Sequence, residues 1–164
     1  MNARENAMRH ERERGFSLIE MVIALGMLAT VAISISGLFI LSGKQVKSGR
    51  TSSEALAVGR GILEEMNNWG FKQSYELFGL DGANNAYTVD TRTSTAARVA
   101  PWKNTLTTKL GSSAYATIQV VSLSQSGTPP ALNTATCRAI RVLVTVNWSQ
   151  GTRNRSLVVG TVRM

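Results

Sequence analysis

The stretch MVIALGMLATVAISISGLFILSG, Met21 to Gly43, carries no charged side chain over 23 consecutive positions. At 1.5 Å of rise per residue it makes a helix of about 34 Å, enough to cross a hydrocarbon core of about 30 Å. Ser34, Ser36, Gly37 and Ser42 soften its C-terminal half, which membrane helices tolerate. A secretory signal peptide has an apolar core of only about 7–15 residues with a small-residue cleavage site behind it. This run is longer, and Lys44, Lys47 and Arg50 follow it. It therefore reads as a segment that stays in the protein. Arg4, Arg9, Arg12 and Arg14 precede it, a slight excess over the three basic residues behind it. That bias favours a cytoplasmic N-terminus, with the rest of the chain across the membrane.

Outside the run the chain is polar and basic. Its 164 residues suit about one domain. The mean hydropathy of −0.01 averages a membrane-grade span with a polar remainder. Lys and Arg number 18 against 10 Asp and Glu, for a net charge of +8. The last 74 residues hold nine Lys or Arg and no acid. Such charge attracts DNA or anionic surfaces without reading a sequence. Trp102, Tyr115 and Trp148 lie in this basic part and are candidates for base stacking, although the alternation around Trp148 and Tyr115 also suits a sheet.

Catalytic chemistry finds little to work with. His10 is the only His, and it lies before the span. The rest of the chain thus lacks the imidazole of a Ser–His or Cys–His site or of a zinc centre. Cys137 is the only Cys, so no internal disulfide forms. Glu64 and Glu65 are adjacent on a helix and do not face each other, which reads as a solvated face. Asp81, Asn84, Asn85 and Asp90 supply oxygens without the spacing of a calcium loop, and Asx turns explain them. No catalytic residue, metal or cofactor is expected.

Glu20 stands at the mouth of the apolar run. A carboxylate entering hydrocarbon costs several kcal/mol unless it is paired or stays at the interface. It closes the hexapeptide Gly15-Phe16-Ser17-Leu18-Ile19-Glu20, which follows a short charged leader and precedes the span. This arrangement resembles the class III signal of the type IV pilin family, prepilins and pseudopilins. The resemblance implies cleavage by a membrane prepilin peptidase between Gly15 and Phe16, and N-methylation of Phe16. It gives Glu20 an assembly role, neutralising the N-terminal amine of a neighbouring subunit. Gly at the cut site has no side chain and lets a protease approach the backbone. The implied partners are prepilin peptidase, other major and minor pilins, the inner-membrane assembly platform, and membrane lipid before assembly. The implied location is the bacterial inner membrane, with the head periplasmic, and then a filament. Removal of residues 1–15 leaves +7 on the side chains, so the charge belongs to the head.

Beyond Lys44 the pattern turns amphipathic. Leu56, Val58, Ile62, Leu63, Met66 and Trp69 recur at helical spacing, and Asn67-Asn68-Trp69-Gly70 ends the helix. Residues 71–114 give little pattern, and Asp90 to Ala97 reads as loop. Tyr115 to Leu123 alternates, with Ala116, Ile118 and Val120 on one side. Ile140 to Trp148 alternates strongly, Ser149 to Thr152 is a turn, and Arg155 to Val162 is a second strand. Leu143 and Val158 interrupt the polar face, which predicts partial cover on both faces of the sheet. The expected fold is α+β, a pilin-like "lollipop": a long N-terminal helix packed on a small antiparallel sheet of three or four strands. The expected organisation is a leader at 1–15, a transmembrane and filament-core helix at 16–43, its amphipathic half at 44–70, and a globular head at 71–164. The strand Arg141 to Trp148, the turn, and Arg153 to Leu157 resemble minor pilins of the PilV kind, and equally the minor pseudopilins of type II secretion. The functional expectation is a minor type IV pilin, with a minor pseudopilin or a DNA-capturing competence pilin as alternatives.

Overall fold

The computed structural model describes residues 17–124 and 127–164. The leader, the Gly15–Phe16 bond and His10 lie outside the described residues. A single α-helix, α1, runs Leu18–Asn67. The chain divides into two compact units within it, Met1–Val46 and Lys47–Met164, and each is taken by itself.

In the first unit the described residues belong almost wholly to α1, and its apolar side chains lie open, from Leu18 to Leu41. In the second, α1 buries Ala55, Val58, Gly59, Ile62, Leu63 and Met66. That is the i, i+3, i+4, i+7 stripe of a helix docked on one face. One of its members, Gly59, is small for a reason. A Cβ on Gly59 would come within 3.1 Å of Val159 Cγ2 and 3.4 Å of Val146 Cγ2, so the helix backbone rides close to the sheet. Leu56, an expected core position, is only half-buried beside them.

After α1 the chain makes a short helix α2, Gln73–Glu76, then strand β1, Ala86–Asp90, helix α3, Val99–Leu110, and strands β2, Tyr115–Leu123, β3, Ala139–Gln150, and β4, Arg153–Arg163. The four strands form one antiparallel sheet in the order β1-β2-β3-β4. Pairs such as Val89↔Ile118, Ile118↔Val144 and Val144↔Val159 set the register. Period-2 side chains then fall on one face. Ala116, Ile118, Val120, Ile140, Val142, Val144, Val146 and Trp148 are buried there together with the helix stripe. Trp69 and Trp102 stack with ring centres 5.8 Å apart, and Phe78 meets both.

Three expectations change. The segment read as patternless, 71–114, holds both β1 and α3. Strand β1 has five residues and α3 mixes Thr, Lys, Pro and Asn with its four buried positions, Val99, Trp102, Leu106 and Leu110, so neither carries a clean period. The second correction concerns the sheet's outer face, whose apolar residues are left largely open along β4 among the described residues. Val158 is 60% exposed, and Leu143 gains its partial shelter from lying across Gly160. Glu65 is the third, because it is not simply a solvated residue. Its Oε2 accepts the Trp102 indole N–H at 2.6 Å, and Arg98 lies 3.8 Å from its other oxygen.

Candidate functional site

The expected functional residues cluster at the start of α1. Ser17 opens the helix, and its carbonyl accepts the N–H groups of Glu20 at 2.9 Å and Met21 at 3.2 Å. Glu20 is exposed in the first turn. A negative charge there is favoured by the unsatisfied N–H groups and the helix dipole. Among the described residues it has no ion-pair partner. Gly15 and Phe16, the expected cleavage and methylation positions, precede the described residues.

Behind Glu20 the helix is long and apolar enough to cross a membrane, and none of its most apolar window is buried by the rest of the chain. Leu18 is 80% exposed and Phe39 73%. An apolar surface of this extent marks a membrane or protein contact. The hydroxyls inside the run do not spoil it. Thr30 donates to the Met27 carbonyl at 2.8 Å, Ser34 to Thr30 at 2.9 Å, and Ser36 to Ala32 at 2.8 Å. These three hydroxyls are satisfied by their own helix, as an environment without water requires.

The head offers the other candidates. Trp102 and Trp148 are buried, and Tyr115 lies under the Arg92 guanidinium at 3.6 Å from its ring centre. The three aromatic residues considered for base stacking are thus used within the fold. Asp81 accepts the Ala83 N–H at 2.9 Å, an Asx turn. Asp90 is held by Arg92 through a 2.6 Å contact, which pulls its carboxyl below the usual carboxylate range. No group of three or more His, Cys, Asp or Glu arranged for a metal occurs among the described residues. Cys137 is buried, and that burial pushes its thiol up, away from the reactive thiolate.

One structural residue escaped the sequence reading. Arg163, the last residue of β4, reaches the end of α1. Its Nη1 donates to the Met66 carbonyl at 2.9 Å and to Ser74 Oγ at 3.3 Å, and its Nη2 donates to the Trp69 carbonyl at 2.5 Å. The last turn of α1 has no basic residue of its own, so β4 supplies the cation that a helix C-terminus favours. The residues it joins are 97 and 94 positions away, and no local pattern signals them. No family model, curated protein or solved structure matches this chain.

Proposed function

We propose that this protein is a minor type IV pilin. Prepilin peptidase cuts between Gly15 and Phe16, and the new Phe16 amine is methylated. The apolar half of α1 holds the chain in the inner membrane with its head in the periplasm. The same helix then packs among other pilins in a filament or its tip complex. Glu20 neutralises the terminal amine of a neighbouring subunit, a pairing whose weight grows in the low dielectric of packed helices. The protein performs no chemistry of its own.

The observation that carries this reading is the hexapeptide Gly15 to Glu20 set directly before 23 uncharged residues. The open apolar surface of α1 and the antiparallel sheet under its second half agree with it. A DNA-capturing head has less support, because the core uses Trp102 and Trp148 and leaves only charge as an attractor. Intact mass and N-terminal sequencing of the protein from cells with active prepilin peptidase test the proposal. The expected product begins at Phe16 and carries one added methyl group. A retained leader overturns it.

A further inference from the structure

Basic side chains gather at one end of the head, where α1 enters it. Lys47, Arg50, Thr51 and Glu54 share one helical face, and with Thr108 and Lys109 at the end of α3 they line a groove of about 450 Å³. On the adjacent face, Ser48 Oγ donates to Gln150 Oε1 at 3.1 Å and ties the β3–β4 hairpin tip to α1. Arg153 pairs with Gln150 and Arg155 with Trp148, so both stand at that tip. Lys47, Arg50, Lys109, Arg153 and Arg155 are all exposed. The acid among the groove residues is Glu54, held by Arg50 at 2.9 Å, so the cluster keeps an uncompensated positive charge.

The covalent chain limits where this end sits. Lys47 follows Gly43, the last residue of the uncharged span, by four residues. Even fully extended, four residues reach only about 14 Å. If the span crosses a bilayer, Lys47 therefore lies within or just beyond the headgroup layer, which adds roughly 5–8 Å to each side of the hydrocarbon. A cluster of cations on that tether meets phosphate at short range, within about one Debye length.

We propose that this basic collar binds the anionic phospholipid headgroups of the membrane that holds the chain, and so seats the head on the bilayer before assembly. The groove between α1 and α3 takes a phosphate between Lys47, Arg50 and Lys109, while Arg153 and Arg155 hold headgroups on the other flank of α1. The inference rests on membrane anchorage by α1 and does not require the pilin reading.

The test uses the full chain reconstituted in vesicles of phosphatidylcholine containing phosphatidylglycerol. Flotation after an alkaline wash measures anchorage. Electron spin resonance with spin-labelled phosphatidylglycerol or phosphatidylcholine measures which lipid the protein immobilises. The expected result is a preference for phosphatidylglycerol of at least about threefold at low salt, weakened by added salt. Joint substitution of Lys47→Gln, Lys109→Gln, Arg153→Gln and Arg155→Gln brings that preference close to one. Neutralising two exposed basic residues elsewhere, Lys103→Gln with Arg141→Gln, leaves it in place. A floating protein with no preference, or with equal loss in both variants, overturns the proposal alone. A protein that does not float overturns anchorage and the collar's role with it.

Discussion

Replacing Arg163 with Met should loosen the head from the end of α1. The guanidinium makes three hydrogen bonds, two of them to the carbonyls of Met66 and Trp69. A hydrogen bond to a charged group contributes about 1.5–3 kcal/mol when the site is dry, and a cation at a helix C-terminus adds about 0.3–1 kcal/mol. Arg163 is half-exposed, so water recovers part of the loss at both carbonyls. The expected cost is then about 2–4 kcal/mol for Arg163→Met, which keeps the aliphatic stem. At a few degrees per kcal/mol for a unit of this size, the midpoint falls by roughly 6–15 °C. Arg163→Lys should restore less than half, because one ammonium cannot span two carbonyls in the manner of a planar fork. The assay is denaturation of the full chain in mild detergent, followed by tryptophan fluorescence. All three Trp residues lie in the Lys47–Met164 unit, so the signal reports that unit alone. Hydrogen exchange at Met66 to Ser74 should quicken in step. If Arg163→Met stays within about 0.5 kcal/mol of the parent, the tie between β4 and α1 is a surface contact and the reasoning is wrong.

Four other outcomes follow from the same packing. Gly59→Ala sets about 1 kcal/mol of helix propensity against a Cβ 3.1 Å from Val159, and should come out near neutral by denaturation. Gly59→Val should cost at least about 2 kcal/mol through overpacking, and equal stability would mean that the helix can lift off the sheet. Glu65→Ala leaves the Trp102 indole N–H without its acceptor and should cost about 1–3 kcal/mol. Glu65→Gln keeps an acceptor and should cost less than half of that, whereas a purely ionic role would make the two substitutions cost the same. The Asp90 carboxyl is held below its ordinary range by the Arg92 hydrogen bond, so its contribution is present above about pH 4 and is lost as pH falls through the lowered value. Asp90→Asn should flatten that acid limb in urea titrations between pH 2 and 6, and an unchanged limb would remove Asp90 from the account. The Tyr87 hydroxyl is buried without a hydrogen-bond partner among the described residues, and Tyr87→Phe should leave stability equal or raised by up to about 1 kcal/mol, with a loss above that pointing to an unseen partner.

The legibility of the chain followed the strength of its periods. The 23-residue uncharged run, the helical spacing from Leu56 and the alternation from Ile140 to Trp148 each repeat often enough to specify an element. Helix α1 ends at Asn67, where the Asn-Asn-Trp-Gly sequence placed its end. Ala116, Ile118 and Val120 all turn inward, on the side their alternation indicated. Strand β1 escaped because five residues, flanked by Asn and Thr, are too short for a period to stand out. Helix α3 escaped because Val99, Trp102, Leu106 and Leu110 are separated by Thr, Asn, Lys and Pro, which read equally well as loop. At the candidate site, Glu20 was visible because a carboxylate beside an apolar run is anomalous on energetic grounds. The basic collar was not, because its charges come from α1, α3 and the β3–β4 hairpin, up to about a hundred residues apart.

Local composition and periodicity by themselves determined the apolar helix, its amphipathic continuation and the two long C-terminal strands, because those properties are carried by residues a few positions apart. The hexapeptide before the helix likewise sits in one contiguous stretch. Only the tertiary structure decided that Gly59 lets α1 approach the sheet, that Glu65 serves Trp102, that Arg163 closes the helix end, and that Val158 on the outer sheet face stays exposed. Each of these depends on groups from distant parts of the chain meeting within a few ångströms. Hydrogen bonds and steric limits act over that range alone, so the chain must fold before its sequence can say who meets whom.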